Sequence, residues 1–398
     1  MSSSKRSILF DLASTQPNEA GFHGGGEYAK VVFQRLLQLK NEDKISANFD
    51  PDRDFDFKIK ELCDRYGVDL VPVNSHSSLE AILRKNGYDK FYSALPYEYY
   101  DIDFSNVEFI YTIHGLRHIE QPTDRYEYKF CNSFKEYSKY LYKQLFTEKY
   151  REKKREQFRK LFNVKCKSSI IIVPSLHTKY SLLVEFPELE IEEVKVLYSP
   201  LKKLPSKETL EGKNLLKDNY GVESRNFYLI TSARRWIKNA YRTVKSFDEL
   251  FSEHNLPGKK VVVLGVSEND ILQKGLNNPD RFIFRGYVSE NDLSLLYSEA
   301  YSFVYPTLNE GFGYPPLESM KYGTPVLTAA TTSIYEVCGD AALYFNPLSK
   351  DELKNRILAI SMESGLWESF SEKSYKRYEQ VSLKQEEMLD ELCQIILK

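Results

Sequence analysis

The sequence predicts an α/β protein of two doubly wound domains that face each other across a cleft. A chain of 398 residues is too long for one comfortable core. Short apolar, β-branched runs alternate with helical patterns, and continuous runs of this kind are typical of parallel strands buried on both faces. Ligands of such folds bind at the carboxyl ends of the strands, so the predicted site is the cleft between the domains.

The predicted strands form two series along the chain. They are 7–13, 90–94, 107–113, 169–175 and 194–199, then 227–233, 260–265, 281–286, 301–306 and 325–330. Helical patterns lie between them, such as 27–39 and 290–300. The stretch 199–213 holds two prolines and several lysines without apolar periodicity, so we interpret it as the interdomain linker. This predicts domains of residues 1–200 and 201–375.

One region breaks the alternation of strands and helices. Residues 120–165 form a long helical pattern rich in tyrosine and charge, which we predict as an insertion in the N-terminal domain. Within it, Arg151, Arg155 and Arg159 recur every four residues. Two interpretations stay open here, a solvated helical pair or a cationic and aromatic surface that contacts an acceptor or a membrane.

Composition excludes several classes of protein. The net charge of -2 gives no case for nucleic-acid binding. The five cysteines are widely spaced, which favours a reducing compartment over a zinc site or a disulfide framework. The N-terminus reads as a strand and not a signal peptide, and no stretch approaches the ~20 apolar residues of a membrane span. The acidic stretch 50–57 contains DxD patterns, which we interpret as a charged loop and not a metal site.

Two turns that follow predicted strands carry groups suited to phosphate. "HGGGEYAK" begins at His23 and places three glycines before a helix, where backbone N–H groups can approach an anion; a flexible turn is the alternative. "TSARRWIKN" places Arg234, Arg235 and Lys238 after the first strand of the second domain. Two guanidiniums and an ammonium suit a diphosphate, and an ordinary basic surface turn is the alternative.

The stretch "NEGFGYPPLE", residues 309–318, brackets a glycine-rich turn and a Pro-Pro pair with Glu310 and Glu318. An open glycine backbone at the start of a helix favours an anion, and carboxylates bind sugar hydroxyls. Together with the Arg/Lys turn, these ingredients describe a site for a nucleotide-sugar. His114 ends another predicted strand, in "YTIHGLRH", where sites of α/β folds form.

These motifs resemble the retaining GT-B glycosyltransferases of family four, also called glycosyltransferase group 1. The resemblance rests on Glu310-x7-Glu318, "SARRWIKN", the "GYV" turn at 286–288 and "AALYFNP". It is thinner in the N-terminal half, where it rests on "GGGEYAK", "TIHG" and "VPSLHTKYSLL". The resemblance implies two Rossmann-like domains and a final helix, 376–398, that crosses back to the N-terminal domain.

The resemblance also implies roles for individual residues. Glu310 would contact the donor hexose and Glu318 the ribose. Lys238 would grip the diphosphate together with Arg234 or Arg235; the family more often has Gly-Arg at this point, so the choice between the two arginines stays open.

His114 would face the donor sugar near the reaction centre, and the other residues implied in donor binding lie in glycine-containing turns. These are Gly25, Gly26, Gly286, Tyr287, Gly311, Phe312 and Gly313.

The implied reaction is transfer of a hexose from a nucleoside-diphosphate sugar to a hydroxyl of a glycan, glycolipid or glycoprotein, with retention. The donor is a substrate, and neither a metal nor another cofactor is expected. The implied setting is cytoplasmic, with contact to the inner face of the membrane through 120–165 as one interpretation. The alternatives are a non-catalytic partner subunit of a glycosyltransferase complex and a GT-B nucleotide-sugar epimerase.

Overall fold

The computed structural model describes residues 6–16, 24–40, 42–206, 213–254, 256–266 and 270–398. The chain divides into two compact units. Unit 1 comprises Met1–Leu116, Arg151–Lys202 and Leu383–Lys398. Unit 2 comprises Arg117–Tyr150 and Lys203–Ser382.

Unit 1 is built on a parallel sheet with the strand order β3-β2-β1-β4-β5-β6-β7 within the described ranges. The strands are β1 Ser7–Asp11, β2 Lys44–Phe49, β3 Asp69–Pro72, β4 Lys90–Ser93, β5 Glu108–Thr112, β6 Ser168–Val173 and β7 Val194–Val196. The helices of this part of the chain are α1 Gly24–Leu39, α2 Phe57–Tyr66, α3 His76–Asn86, α4 Arg117–Glu120, α5 Phe134–Leu145, α6 Thr147–Phe162 and α7 Leu176–Glu185.

Unit 2 has a second parallel sheet, in the order β10-β9-β8-β11-β12-β13 for the residues described. Its strands are β8 Phe227–Ile230, β9 Lys260–Leu264, β10 Phe282–Arg285, β11 Ser302–Tyr305, β12 Val326–Ala329 and β13 Ala342–Phe345. The helices that follow α7 are α8 Lys213–Tyr220, α9 Ala240–His254, α10 Glu290–Glu299, α11 Tyr314–Met320, α12 Ile334–Cys338, α13 Lys350–Met362 and α14 Leu366–Leu397.

Each predicted strand has a counterpart in these sheets, and three observed strands were not predicted. β2 mixes polar with apolar residues, so it lacks the continuous apolar run that marks a buried strand. β3 is an edge strand that ends at Pro72, a residue tolerated in sheets mainly at edges. β13 is an edge strand of four residues.

The last helix is shared between the units, since residues 366–382 group with unit 2 and residues 383–398 with unit 1. Its C-terminal turns insert apolar side chains into the core of unit 1. These are Leu389, Leu392, Cys393 and Ile396. Arg35 of α1 also forms ion pairs with Glu386 and Asp390 of α14. Removal of these last turns would therefore expose core surface of unit 1.

The helical region differs from our expectation, because residues 117–150 group with unit 2 and not with the N-terminal domain. A bidentate ion pair holds this segment, since the Arg242 guanidinium donates to both oxygens of Asp124 at 3.1 and 2.8 Å. The rings of Tyr126 and Tyr241 also lie 5.0 Å apart. By contrast, residues 151–162 of α6 belong to unit 1. Pairwise side-chain contacts of this kind leave no periodic signal in the sequence.

Candidate functional site

Two loops of unit 2 start where the order of the strands reverses. β8 and β11 pair side by side, and the remaining strands extend from them in opposite directions. Such a reversal opens a crevice at the carboxyl ends of the two strands, where ligands of doubly wound folds bind. The loop after β8 carries Lys238 in a short 3-10 turn, and the loop after β11 carries Glu310.

Lys238 and Glu310 form a largely buried ion pair at this crevice. The Lys238 ammonium contacts Oε1 of Glu310, and the two side chains are only 8% and 16% exposed. The same oxygen accepts hydrogen bonds from the hydroxyls of Tyr305 at 2.8 Å and Thr307 at 2.7 Å. Because these bonds all engage Oε1, Oε2 retains the capacity to accept from a ligand hydroxyl.

The ion pair and its neighbours shift the pKa of both groups. Burial acts to raise the pKa of Glu310, but the charge of Lys238 and the three hydrogen bonds outweigh it and lower that pKa below its ordinary value. Burial lowers the pKa of Lys238, against the attraction of Glu310, and the charges of Arg235 and Arg117 lower it further. The carboxylate is therefore ionised at neutral pH, while a bound anion would relieve the crowding of positive charge.

The charge of Arg235 lowers the pKa of Lys238 and so acts on this ion pair. Besides its effect on the pKa of Lys238, it opposes the large rise that burial causes in the pKa of Tyr305. The backbone turns at Ser232, whose φ of 58° is left-handed, and the N–H of Arg235 donates to the Ser232 carbonyl at 3.3 Å. Both arginines are exposed to solvent at this turn. Which of the two arginines would grip the diphosphate stays a prediction.

The glycine-rich loop that follows Glu310 is held by hydrogen bonds from the next strand connection. The Ser333 hydroxyl donates to the carbonyls of Glu310 and Phe312, both at 2.9 Å. Gly313 has a φ of 109°, and a Cβ there would lie 2.6 Å from the Ile334 side chain. A side chain at this position would therefore be strained as well as crowded. Gly311 lies in the same loop.

Glu318 has a different environment from Glu310. It lies on α11, is buried, and hydrogen-bonds the hydroxyl of Tyr297 on α10. Burial raises the pKa of Tyr297 well above 10, and the charge of Glu318 raises it further. The two acids of the predicted pair therefore have separate partners. The assignment of hexose to one and ribose to the other stays a prediction.

Gly286 and Tyr287 lie in the loop after β10, at the same end of the sheet. The Gly286 carbonyl accepts from the N–H of Gly265 at 3.1 Å, which ties the loops after β9 and β10 together. The Tyr287 side chain is 94% exposed. Contact with a base through backbone atoms at this turn stays a prediction.

The predicted residues of unit 1 lie near one another. Nε2 of His114 is 2.9 Å from the Ala94 carbonyl, and its ring meets the Tyr28 ring edge-on at 4.8 Å. Tyr28 belongs to α1, whose first turn contains Gly25 and Gly26. A Cβ on Gly25 would lie 2.6 Å from the Leu95 side chain. The structure thus brings the glycine turn and His114 together within this unit, and their roles toward a donor stay predictions.

Sequence reasoning missed several residues of the site in unit 2. Tyr305 and Thr307 flank the end of β11, and polar residues at a strand end are the signal that could have found them. Asn309 is buried and donates to Oε2 of Glu120, at the end of α4, at 2.6 Å. Arg117 begins the same helix. No sequence signal could have found these contacts, because α4 is almost 190 residues away along the chain.

Two aspartates of the DxD stretch, Asp50 and Asp56, have local structural partners. Asp56 caps α2 by accepting from the N–H groups of Lys58 and Ile59, and it pairs with Lys30 at 2.7 Å. Asp50 accepts from the N–H of Asp52 at 3.0 Å. Across the part of the chain that the structure describes, no group of three or more His, Cys, Asp or Glu side chains is arranged to hold a metal ion.

A cavity of about 460 Å³ lies beside the site, at the carboxyl ends of β12 and β13. Leu308, Thr331, Asn346 and Pro347 are among its lining residues, whereas Lys238 and Glu310 are not. Its lining residue Thr331 donates from its hydroxyl to the carbonyl of Thr307 at 3.2 Å, and Thr307 in turn contacts Glu310.

The part of the chain that holds the Lys238–Glu310 ion pair is similar to known proteins. Residues 213–377 match the family described as Glycosyl transferases group 1. A stretch of 129 residues is 36% identical to the O-antigen chain mannosyltransferase RfbU of Salmonella typhimurium and covers 31% of this chain and 35% of that protein. A stretch of 103 residues is 42% identical to the O-antigen chain mannosyltransferase B of Escherichia coli and covers 25% and 27%, respectively. The chain thus spans about a third or less of the length of these relatives.

Solved structures resemble this chain over nearly its whole length. WaaG, a glycosyltransferase involved in lipopolysaccharide biosynthesis, is 15% identical with a TM-score of 0.66, covering 98% of this chain and 99% of that one. HepE of Anabaena in complex with UDP and glucose is 14% identical with a TM-score of 0.65, covering 97% and 99%. At such identities the likeness shows the fold, and it confirms the predicted GT-B class of two Rossmann-like domains.

The family match and the fold both agree with the family resemblance that we inferred from the sequence motifs. The matched residues contain Lys238, Glu310 and Glu318. Residues 213–377 are thus similar to the group 1 glycosyl transferases, the family that the motifs predicted.

Proposed function

We propose that this chain is a retaining, metal-independent glycosyltransferase that moves a hexose from a nucleoside-diphosphate sugar to a hydroxyl acceptor. The observation that carries the proposal is the Lys238–Glu310 pair at the strand reversal of unit 2, with Arg235 beside it. Cations that suit a diphosphate and a carboxylate that suits sugar hydroxyls lie together at this crevice, which supports the proposal.

The cations of the site would stabilise the leaving group. When the bond from C1 of the hexose to the diphosphate breaks, negative charge accumulates on the phosphate oxygens. Lys238 is buried, so its charge acts with little screening by water. Arg235 adds a planar guanidinium, which suits two phosphate oxygens at once.

Glu310 would position the sugar and would not act as a nucleophile. The three donors on Oε1 stabilise the negative charge of Glu310, which lowers its pKa and makes the carboxylate less nucleophilic. Oε2 can accept a hydrogen bond from a hexose hydroxyl. In a retaining front-face reaction, the departing phosphate oxygen accepts the proton of the acceptor hydroxyl, so no protein nucleophile is required.

The donor is tested by a thermal-shift screen of nucleotide-sugars, followed by product analysis. The relatives named above are mannosyltransferases, so we propose mannose as the transferred hexose and GDP-mannose as the first donor to screen, with UDP-glucose as comparison. A binding donor raises Tm by mass action. If no nucleotide-sugar stabilises the chain, the proposal fails.

The same assay tests the metal requirement. Because Lys238 and Arg235 would supply the cationic charge, we expect the initial rate of transfer to be unchanged by excess EDTA after dialysis against the chelator. The stereochemistry at C1 of the product is read by NMR, with retention expected. If EDTA abolished the rate and Mg²⁺ or Mn²⁺ restored it, metal independence would be contradicted. The proposed transfer of a sugar would not be contradicted.

The alternative functions predict different products. A nucleotide-sugar epimerase would convert the donor without any acceptor, and a non-catalytic partner subunit would bind the donor without turning it over. A new glycoside that appears only when both donor and acceptor are present supports transfer.

The hydrogen bond between Asn309 and Glu120 positions the loop that carries Glu310, and this yields a further prediction. Glu120→Ala is expected to lower kcat about tenfold, the equivalent of roughly 1.4 kcal/mol for a hydrogen bond to a charged group. The donor KM should change little, because neither residue is proposed to touch the donor. Kinetics of Glu120→Ala, Asn309→Ala and the double variant provide the measurement.

Variants of the same two residues, Glu120 and Asn309, serve as controls for this hydrogen bond. Glu120→Gln keeps an acceptor oxygen and should retain most of the activity. If the bond matters through Glu310, the double variant should be no worse than either single variant. If all variants lost the same amount of Tm while kcat stayed unchanged, the hydrogen bond would contribute to stability and not to catalysis.

We further propose a glycan, glycolipid or glycoprotein acceptor and a cytoplasmic setting, with peripheral contact to the inner face of the membrane through part of 120–165. WaaG acts in lipopolysaccharide biosynthesis and two relatives in O-antigen assembly, which supports a surface glycan as the product. No helix in the described ranges is both long and apolar enough to cross a membrane.

A further inference from the structure

The hydroxyl of Tyr305 lies between the two charged groups of the crevice. Its oxygen accepts a hydrogen bond from the Lys238 ammonium at 2.6 Å and donates one to Oε1 of Glu310 at 2.8 Å. Lys238 and Glu310 also contact each other directly. One neutral side chain thus touches both members of the ion pair, as an acceptor to the cation and as a donor to the anion.

Tyr305 belongs to the sheet, whereas its two partners belong to loops. It is the last residue of β11, while Lys238 ends a 3-10 turn and Glu310 lies in the loop after β11. The Tyr305 side chain is 1% exposed, its ring stacks on that of Phe303 at 5.7 Å, and its carbonyl accepts from the Thr328 hydroxyl at 2.9 Å. Groups on strands are better fixed than groups on loops. The hydroxyl is therefore a fixed point for a lysine whose long stem is flexible.

The hydroxyl of Tyr305 also keeps its proton. Burial raises the pKa of Tyr305 well above its ordinary value, and Glu310 and Tyr297 raise it further, against the opposing charge of Arg235. A protonated hydroxyl can donate to the carboxylate and accept from the ammonium at the same time. It therefore stabilises the charged form of both groups.

Both charges lie among other ionisable groups. Those that act on the pair or on the hydroxyl are Tyr297, Arg235 and Arg117. Burial acts to raise the pKa of Glu310, but Lys238 and the hydrogen bonds, that of Tyr305 included, lower it overall. Burial lowers the pKa of Lys238, and the attraction of Glu310 opposes this effect. Two N–H groups of the ammonium bond to Glu310 and Tyr305, so the third can donate to a ligand.

We propose that Tyr305 is a positioning residue of the transfer site, whose hydroxyl holds Lys238 and Glu310 in their charged forms and in register with each other. One N–H of the lysine and Oε2 of the glutamate are thereby left for the donor. The inference rests on the proposed function, because it assigns these two groups to a nucleotide-sugar. Tyr305 acts through them and is not expected to contact the donor.

The first test is the pH dependence of kcat/KM for the donor in Tyr305→Phe, which removes the hydroxyl and keeps the ring. This parameter reports the ionisable groups of the free enzyme. Loss of the donor raises the pKa of Glu310, so the acid limb moves to higher pH. Loss of the acceptor lowers the pKa of Lys238, so the alkaline limb moves to lower pH. We expect the active range to narrow by about one pH unit on each side, and kcat/KM at the optimum to fall about tenfold.

Tyr228→Phe is the matched control. Tyr228 is fully buried on the neighbouring strand β8, and its hydroxyl lies 2.6 Å from that of Ser361, which carries no charge. This variant should lose Tm through one broken hydrogen bond but keep the pH profile and kcat/KM of the unmodified chain. If Tyr305→Phe had the same profile as Tyr228→Phe, the inference would be overturned.

Thermal unfolding at several pH values tests the inference without the reaction. The pKa of Glu310 is lowered by folding, so its charge stabilises the folded chain above the unfolded pKa, and this contribution is lost as the pH falls through the folded pKa. Removal of the Tyr305 hydroxyl makes the contribution smaller. The loss of Tm in Tyr305→Phe should therefore shrink toward acid pH, whereas that in Tyr228→Phe should stay constant.

The two measurements separate this inference from the proposed function. A loss of Tm in Tyr305→Phe that did not change with pH would overturn the inference, even in a chain that transfers sugar. A loss that shrinks toward acid pH in a chain without any transfer would support the positioning of the pair and overturn the proposed function alone.

Discussion

Replacing Lys238 with alanine is expected to lower kcat for sugar transfer by about a hundred- to a thousandfold, the cost of removing one preorganised charge from a developing anion. Lys238 is the buried cation of the crevice, and water cannot substitute for it efficiently there. Steady-state kinetics with saturating donor and acceptor provide the measurement. Glu310→Gln keeps the shape of the side chain and should also lower kcat, because it removes the charge that orients the lysine and the sugar.

A loss of stability must be separated from a loss of catalysis in this variant. Lys238→Ala leaves Glu310 charged and without its cation, which costs about 3–5 kcal/mol for a buried pair. Unit 1 contains a control in the ion pair Lys90–Glu108, in which the Lys90 side chain is likewise only 8% exposed. Lys90→Ala should lower Tm by a similar mechanism but leave kcat of the folded protein unchanged. If Lys238→Ala and Glu310→Gln both kept normal transfer rates, the site assignment would be wrong.

The second large effect is expected at Arg235. Arg235→Ala should raise KM for the donor and lower kcat, with a combined loss in kcat/KM of about ten- to a hundredfold, as for a charge-assisted hydrogen bond of about 1.5–3 kcal/mol. The physical reason is that its charge acts on both Lys238 and Tyr305. Arg235→Lys should restore only part of the activity, since an ammonium cannot form the bidentate bond.

Arg234→Ala is the control, because this neighbouring arginine is also exposed, whereas Arg235 is the one whose charge acts on the pKa of Lys238 and of Tyr305. It should remain close to the unmodified protein in kcat/KM and Tm. A larger loss for Arg234→Ala than for Arg235→Ala would reverse the assignment of the diphosphate contact.

Much of the fold was predictable because parallel strands buried on both faces leave continuous apolar runs. The central strands β8 and β11 carry such runs, and the residues that follow them, Lys238 and Glu310, were therefore predicted at the same edge of a sheet. Strands β2 and β3 escaped because mixed polarity and an edge proline weaken that signal, whereas the length of β13 does not explain its absence from the prediction, since β8 and β11 are equally short. Which of Arg234 and Arg235 contacts the diphosphate stays a prediction.

The sequence by itself determined the fold class, the strand ends and the residue types of the site, because periodicity and motif spacing act over short stretches of chain. Only the tertiary structure decided that Arg117–Tyr150 belongs to unit 2, that Glu120 accepts a hydrogen bond from Asn309, and that Phe134 and Leu145 of α5 are exposed to solvent. An amphipathic pattern indicates that a helix has two faces, but it does not indicate which face packs against the rest of the protein. On α5 the buried pair of Lys143 with Glu127 makes that choice.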